Sequence, residues 1–162
     1  MNSPFQSTSF RDFWSNRWNM SVKTNLHRIG FLPVMAALRW ISGIKEGEKS
    51  PAWHGIFGGM GAFILSGFLH EWIIAIISTH TTYEQFNFFL IHGLITVSQV
   101  LLEKMIKKGL GYNPFSKLPT LVCIAMTWML YLITTPFFVN PWLREDILTK
   151  IRTPVLQELM FR

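Results

Sequence analysis

Three long stretches of this sequence contain almost no charged residues. From Ala52 to His80 the single formal charge is Glu71, and there is none from Phe86 to Leu102 or from Leu118 to Val139. As an α-helix the last stretch would be about 33 Å long, which exceeds the roughly 30 Å hydrocarbon core of a bilayer. Helices buried in soluble proteins rarely extend this far without a charged face. The pattern therefore predicts an all-α membrane protein with about three transmembrane helices.

The composition excludes several other classes of protein. Hydrophobic residues make up 49% of the 162 residues and charged residues only 15%, whereas soluble domains average about a quarter charged residues. So much apolar surface excludes intrinsic disorder. The single cysteine, Cys123, excludes a disulfide framework and a zinc site built on cysteines, and it has no basic neighbour that would activate its thiol. We expect no bound cofactor and no metal.

The positive charges lie on one side of the predicted bundle. Seven Lys and Arg residues precede Ala52 and four lysines lie in the connection that follows Leu102, whereas the first connection between spans has neither. Because positively charged loops stay in the cytosol, the amino-terminal region and the second connection are predicted to be cytosolic. A membrane surface then explains the net charge of +6, and no motif supports binding to nucleic acid.

The sequence divides into three regions. Residues 1–50 are predicted to lie at the cytosolic interface, and within them the apolar segment Ile29–Ile44 contains a proline and an arginine, which suits a re-entrant or surface helix better than a span. Residues 51–140 contain the predicted transmembrane bundle. In residues 141–162 basic and apolar side chains are interleaved, which predicts an amphipathic interfacial segment.

Two adjacent ionisable residues in the first predicted span give the strongest functional signal. His70 and Glu71 lie near its middle, where ionisable groups are costly and as a rule face the bundle interior and serve a function. Ser66 lies one turn before His70 on the same face, so we expect its hydroxyl to reach the imidazole. Glu71 points about 100° away and is expected to pair with another helix. A buried imidazole stays neutral and able to accept a proton, as a general base for an alcohol must.

A structural role remains an alternative for each of these histidines. A histidine in a membrane can simply hydrogen-bond a neighbouring helix, and this applies to His70 as well. His92, in the second predicted span, could line the same cavity, although structural hydrogen bonding is the favoured interpretation. His54 and His80 lie near the two ends of the first span, where we expect a structural role.

Aromatic and basic residues are interleaved near the amino terminus. The residues concerned are Phe10, Arg11, Phe13, Trp14, Arg17, Trp18 and Lys23. Such residues anchor a chain at a membrane interface. They could also hold a phosphorylated, adenine-bearing ligand through charge and stacking.

Three motifs occur in a defined order along the chain. The stretch STSFRDFWSNRWN covers Ser7–Asn19, a Ser-Gly-x-x-His-Glu motif covers Ser66–Glu71, and a Phe-Phe-x-x-His-Gly motif covers Phe88–Gly93. In this order the chain resembles the membrane-bound O-acyltransferases, and among them the wax-synthase branch, the long-chain-alcohol O-fatty-acyltransferases. The resemblance extends from about Pro4 to Asp146.

The resemblance implies roles for individual residues. His70 matches the membrane histidine that takes the proton from the acceptor hydroxyl, and Asn19 matches the asparagine that assists at the acyl site. Glu71 matches the acidic residue that follows the histidine and supports the site. Ser66 and His92 are expected to support it as well.

The resemblance also implies the substrates. The donor would be acyl-CoA, delivered from the cytosol and facing Trp14, Arg17 and Trp18, and the acceptor a lipid alcohol such as a fatty alcohol, sterol, terpenol or diacylglycerol. Transfer would be direct, without an acyl-enzyme. Members of the family have more than three spans, so we expect the chain to correspond to a carboxy-terminal portion. A missing amino-terminal half or a homo-oligomer would then complete the site. The resemblance also implies a location in the membrane of the endoplasmic reticulum.

Two other functions are compatible with the same residues. An inactive or truncated relative would act as a membrane scaffold for a full-length enzyme. A small transporter or channel would use His70 and Glu71 to line a polar path. The interleaved aromatic and basic segment argues against the transporter or channel, because a pore has no need of it.

Overall fold

A computed structural model of the protein describes residues 3–78, 81–111 and 118–144, and every regular element within these ranges is helical. The amino-terminal part contains a 3-10 turn, two π-helical turns and three short α-helices: Pro4–Gln6, α1 (Phe10–Asp12), π-turn Phe13–Arg17, α2 (Met20–Leu26), π-turn His27–Phe31 and α3 (Leu32–Ile41). Three long helices follow: α4 (Ala52–Ser78), α5 (Glu84–Leu110) and α6 (Thr120–Arg144).

Helices α4, α5 and α6 are each long and apolar enough to cross a membrane, which confirms the prediction of three spans. Helix α5 is longer than its charge-free stretch, because it continues through two further turns that contain Lys107 and Lys108. It ends at Gly111, which adopts a left-handed conformation with φ of 74°; glycine is the residue that tolerates this conformation at a helix end. Helix α6 likewise continues beyond the predicted limit at Val139 to Arg144.

The amino-terminal helices α2 and α3 form one continuous run of helical turns. Asn19 begins the run, because its side-chain oxygen accepts a hydrogen bond from the amide of Val22 at 3.3 Å. The π-turn His27–Phe31 joins α2 directly to α3. The helix predicted within Ile29–Ile44 is therefore the second half of a longer helical segment, and its re-entrant or interfacial position stays a prediction.

Glycines allow α4 to approach its two neighbours closely. A Cβ atom on Gly30 would lie 2.9 Å from the Cα of Ala62, and one on Gly67 would lie 3.2 Å from the Cα of Phe86. Small residues at helix interfaces let backbones come together in membranes, where packing replaces the hydrophobic effect as the driving force. Helix α4 is thus flanked on one side by the α2–α3 segment and on another by the antiparallel α5.

A buried aromatic cluster joins the amino-terminal segment to α6. The rings of Phe10 and Tyr131 are stacked with centroids 4.7 Å apart, and Phe13 contacts the same tyrosine at 4.5 Å. The indole nitrogen of Trp128 donates to the carbonyl oxygen of Phe5 at 3.1 Å. These contacts hold α1 against the bundle and position the turn that follows it.

The predicted amphipathic tail begins inside α6. Residues 141–144 continue this helix, and residues 145–162 lie outside the described part of the chain, as does His80. The expectations for these residues stay predictions.

Candidate active site

The amino-terminal segment, α4 and α5 line a half-open cavity of about 630 Å³, a size that is typical of small-molecule sites. Its wall includes five of the residues that the sequence analysis selected, namely Trp14, Trp18, Asn19, Ser66 and His70. Phe89, from the third motif, lines it as well, so the fold brings residues of all three motifs together around one space.

The imidazole of His70 faces this cavity with one of its ring nitrogens held. Its Nδ1 lies 2.8 Å from the carbonyl oxygen of Ser66, and since a carbonyl can only accept, Nδ1 must carry the hydrogen. None of the described residues hydrogen-bonds the other nitrogen, Nε2. The ring packs against Phe89 and Phe138, with centroids at 4.4 and 5.7 Å. A neutral imidazole in this tautomer has its lone pair on Nε2 and can accept a proton there.

The contact between Ser66 and His70 differs from the one predicted. We expected the Ser66 hydroxyl to reach the imidazole, but the main-chain carbonyl of Ser66 does so. The physical reason is that side chains on an α-helix lean back toward the preceding turn, where the carbonyl of residue i−4 lies. The hydroxyl of Ser66 is left without a hydrogen-bond partner among the described residues, although the residue is only 5% exposed and lines the cavity.

Asn19 is held in the cavity wall by its capping bond to α2. Its backbone has an unusual φ of 22°, and its Oδ1 accepts from the Val22 amide. The two hydrogens of Nδ2 have no acceptor among the described residues. Asn19 therefore offers an amide N–H donor to a ligand in the cavity.

Aromatic residues form part of the wall beside His70. The ring of Trp14 packs against Phe63 and Phe89, with centroids 5.5 and 5.8 Å apart, and Trp18 stacks on Phe13 at 5.3 Å. These contacts fix both indoles at the cavity, and that they face acyl-CoA stays a prediction. Aromatic faces at such a site can stack with a planar or apolar ligand group.

Three cationic side chains line the cavity, Arg11, Lys23 and Lys104. The ammonium group of Lys23 also donates to the main-chain carbonyl of Ser15. Lysine and arginine suit the phosphates of an anionic ligand. The sequence analysis assigned Lys104 to the cytosolic connection after Leu102, but the structure places it within α5, which continues to Leu110.

Arg17, by contrast, is placed outside the cavity wall. Its Nε donates to Asp12 at 2.6 Å. Partial burial alone would raise the pKa of Asp12, but hydrogen bonds from Asn16, Arg17 and the Thr8 amide, together with the Arg17 charge, hold this pKa below its ordinary value. The structure thus gives Arg17 a partner within its own segment. The cations that line the cavity are Arg11 and Lys23, from the same interleaved stretch, and Lys104.

Glu71 contacts the neighbouring helix, as its position around α4 predicted. Its carboxylate, only 5% exposed, accepts hydrogen bonds from the amides of Thr82, Tyr83 and Phe86 at 3.0, 2.7 and 3.3 Å. It therefore supplies the cap that the first turn of α5 needs, and it does not line the cavity.

His92 is fully buried between α5 and α6 and does not line the cavity. Its Nε2 lies 2.8 Å from the hydroxyl oxygen of Thr134, whose hydrogen is donated to the carbonyls of Leu130 and Tyr131 at 3.0 and 3.1 Å. His92 must then be the donor to Thr134. This geometry favours the structural role that the sequence analysis preferred for His92.

Comparison with known proteins gives a family for this arrangement. A sequence model described as the membrane bound O-acyl transferase family matches residues 1–91, which is more than half of the chain and includes Asn19, Ser66, His70 and Glu71. The chain belongs to this family. None of the solved structures matches it.

Several curated relatives are similar to the chain over most of its length. It is 28% identical over 161 residues to the probable long-chain-alcohol O-fatty-acyltransferase 3 of Arabidopsis thaliana, an alignment that covers 99% of this chain and 44% of that protein. It is 29% identical over 107 residues to the long-chain-alcohol O-fatty-acyltransferase of Simmondsia chinensis, covering 65% of this chain and 28% of that protein. The chain therefore spans less than half the length of these relatives.

Membership of the membrane bound O-acyl transferase family and the three apolar helices together make the chain an integral membrane protein. The matched residues end within α5, so Lys104 and all of α6 lie beyond them.

Phe89 was missed by the sequence analysis although it contacts His70. Its signal was its membership of the third motif, and the structure places its ring against His70 and Trp14.

Proposed function

We propose that this chain contains the acyl-transfer site of a long-chain-alcohol O-fatty-acyltransferase, which moves a fatty acyl group from acyl-CoA to the hydroxyl of a lipid alcohol. The observation that supports this most directly is the imidazole of His70, which is held at Nδ1 by the Ser66 carbonyl and faces a cavity of about 630 Å³ with Nε2 unengaged by the described residues. The relatives named long-chain-alcohol O-fatty-acyltransferases supply the substrate class.

In the proposed reaction His70 acts as the general base. Its Nε2 takes the proton of the alcohol as the oxygen attacks the thioester carbonyl carbon, forming a tetrahedral oxyanion. The C–S bond then breaks, and the proton held on Nε2 passes to the departing CoA thiolate. The ester and CoA leave, and the imidazole returns to its neutral form. This sequence needs no acyl-enzyme, and Cys123 is on α6, away from the cavity wall.

Two neutral donors could stabilise the oxyanion. The Nδ2 group of Asn19 and the hydroxyl of Ser66 belong to the cavity wall, and neither has a hydrogen-bond partner among the described residues. A donor aimed at the developing negative charge acts strongly in a site from which water is excluded. We assign this role to Asn19 first, because its capping bond to α2 fixes the orientation of the amide.

The amino-terminal segment is proposed to hold the CoA moiety. Trp14 and Trp18 offer aromatic faces to the adenine, and Arg11 and Lys23 offer positive charge to its phosphates. Arg17 contributes indirectly, because its ion pair with Asp12 stabilises the turn between the two tryptophans. The endoplasmic reticulum is the proposed location, with this segment on the cytosolic face.

The alternatives predict different behaviour. A scaffold would be stable in the membrane and would modulate a full-length enzyme without forming ester itself. Because the chain covers only 44% of the length of its relative from Arabidopsis thaliana, the scaffold is the second candidate. A channel would need Glu71 on its path, but this carboxylate is bonded to the amides of Thr82 and Tyr83, just before α5, and of Phe86 in its first turn.

The test is ester synthesis by membranes that contain the chain, with labelled palmitoyl-CoA and a mixture of long-chain alcohols and sterols. Replacing the base in His70→Gln should lower the rate by about 100-fold or more, while His54→Gln, at a buried histidine outside the cavity wall, serves as the matched control. Equal rates in the two variants would reject His70 as the base. Absence of ester from the parent chain, with stimulation of an added full-length relative, would support the scaffold.

A further inference from the structure

The glycines of α4 fall into two groups that differ in what surrounds them. A Cβ atom on Gly58 would lie 2.8 Å from the ring of Phe31, and one on Gly61 would lie 2.7 Å from Val34, so these positions serve helix packing. A Cβ atom on Gly55 or Gly59 would meet nothing within 4 Å, and both residues line the cavity. Packing therefore explains the first pair and does not explain the second.

Gly55 and Gly59 lie on the same face of α4 as His70. They precede it by 15 and 11 residues, close to four and three helical turns, so the cavity follows α4 away from His70 past Ala62, Gly59 and Gly55. The wall in this part is mostly apolar, including Ile56, Val97 and Val100; the Thr96 hydroxyl donates to the His92 carbonyl of its own helix, and Lys104 lies one turn beyond Val100. A ligand segment with amides or hydroxyls would leave them without hydrogen-bond partners here, at a cost of several kcal/mol. A hydrocarbon chain would not.

An independent feature shows where the polar end of such a ligand would lie. Ser66 is only 5% exposed and lines the cavity one turn before His70, with a hydroxyl that has no partner among the described residues. A serine hydroxyl that faces a cavity can both donate to and accept from an oxygen-bearing ligand group. The end of the cavity at Ser66 and His70 is thus suited to an oxygen-bearing group, and the glycine face to the chain attached to it.

We propose that Gly59 and Gly55 determine substrate chain length, because the aliphatic chain of one substrate lies against them when its reacting carbon is at His70. This inference rests on the proposed acyl transfer and names the residues that set its chain-length selectivity. The chain could be the acyl group of the donor or the alkyl group of the alcohol. The chemistry that the wall recognises is the same for both.

The helix provides the scale of the proposal. At a rise of about 1.5 Å per residue, Gly59 is roughly 17 Å and Gly55 roughly 22 Å from His70 along α4. C–C bonds of about 1.5 Å advance an extended chain by roughly 1.25 Å per carbon. A chain that starts at His70 would therefore pass Gly59 at about carbon 13 and Gly55 at about carbon 18.

The test measures binding, so that it does not depend on catalysis. Tritium-labelled thioether analogues of acyl-CoA and free fatty alcohols, each from eight to twenty-two carbons, are bound to the whole chain in lipid nanodiscs, and dissociation constants are compared for the parent, Gly59→Leu and Gly55→Leu. Gly109→Leu is the matched control, because a side chain at Gly109 also meets open space but lies outside the cavity.

We expect Gly59→Leu to weaken binding by about tenfold or more for chains longer than about thirteen carbons, and to leave shorter chains unchanged. Gly55→Leu should do the same only beyond about eighteen carbons. A cutoff among the acyl analogues alone identifies the chain as the acyl group, and a cutoff among the alcohols alone identifies it as the alkyl group. If Gly59→Leu is not monodisperse, Gly59→Val, which adds less volume, is used in its place.

Three results would overturn the inference. The first is an equal loss of affinity at all chain lengths in Gly59→Leu, as expected if the pantetheine arm of CoA occupied the glycine face. The others are cutoffs in the reverse order and binding to the parent that does not depend on chain length. Ester synthesis is measured separately on the same samples. Ordered cutoffs in binding without any ester would reject the proposed catalysis and keep the chain-length assignment.

Discussion

The carboxylate of Glu71 accepts the amide hydrogen of Tyr83 at 2.7 Å, across the connection between α4 and α5. Glu71 adjoins His70, and Tyr83 immediately precedes α5, so one side chain ties the helix of the proposed base to the start of the helix that supplies Phe89. Tyr83 itself adopts a left-handed conformation with φ of 58° and offers no side-chain cap. The beginning of α5 therefore depends on a residue from its neighbour.

The variant Glu71→Gln should loosen this connection. An amide has one acceptor oxygen in place of two and no charge, so at least one of the three amides it caps would lose its partner, at about 1–3 kcal/mol. We expect faster hydrogen exchange at Thr82, Tyr83 and Phe86 and a lower unfolding temperature. Glu84→Gln is the control, read at Tyr83 and Phe86, because the ion pair of Glu84 with Arg144 at 3.0 Å is partly solvent-exposed and contributes little, and its bond to the Thr82 hydroxyl does not involve these two amides. Unchanged exchange at the three amides would contradict the capping role.

The bond between His92 and Thr134 should stabilise the packing of α5 against α6. Thr134→Val removes the hydroxyl at nearly constant shape and leaves His92 Nε2 unpaired in a buried position, which we expect to cost about 1–3 kcal/mol. His92→Leu combined with Thr134→Val should cost less than the sum of the two single changes, as measured by a double-mutant cycle on unfolding in detergent. Thr135→Val, at a hydroxyl that bonds only its own helix, controls for the loss of a threonine. Simple additivity of the two changes would show that the contact is energetically silent.

A glycine packed against α4 and a glycine of α4 that faces open space should respond in opposite ways to replacement by alanine. Gly30→Ala would bring a methyl group to 2.9 Å from the Cα of Ala62, so the helices must separate, and we expect a loss of about 1–3 kcal/mol in the free energy of unfolding. Gly55→Ala meets open space, and alanine favours a helix by about 1 kcal/mol over glycine, so this variant should be neutral or more stable. Thermal unfolding of both variants in the same detergent compares them. A stability loss in Gly55→Ala equal to that in Gly30→Ala would contradict the assignment of Gly55 to open space.

The Asp12 carboxylate should make the amino-terminal segment sensitive to acid. Its pKa in the folded protein is below the ordinary value of 3.8, so folding favours the charged form. The stabilisation is complete above pH 3.8 and is lost as the pH falls through the lowered pKa. In limited proteolysis at neutral pH, the segment should therefore be cleaved more slowly in the parent than in Asp12→Asn. The difference in cleavage rate should shrink as the pH falls below 3.8. Glu46→Gln, at an exposed acid, should show no such convergence.

The three spans could be predicted from the sequence because helices of soluble proteins rarely lack charge over about seventeen residues or more. The full length of α5 could not, since the turns with Lys107 and Lys108 are amphipathic and lie beyond the apolar window. Asn19 and His70 were assigned to one site only through the family resemblance. The α2–α3 segment that Asn19 begins packs against the helix of His70, with Gly30 against Ala62, a long-range contact that local patterns do not encode.

The hydrogen bond that selects the His70 tautomer comes from the main chain, and this has a consequence for how the site can evolve. Every residue type that keeps the helix at position 66 supplies the same carbonyl, so the tautomer of the neutral imidazole does not depend on the side chain there. Selection can therefore alter the polarity and size of position 66 to suit different acceptors while the proposed base keeps its chemistry. In this helix the proposed base and the side chain that would contact its substrate can therefore change independently.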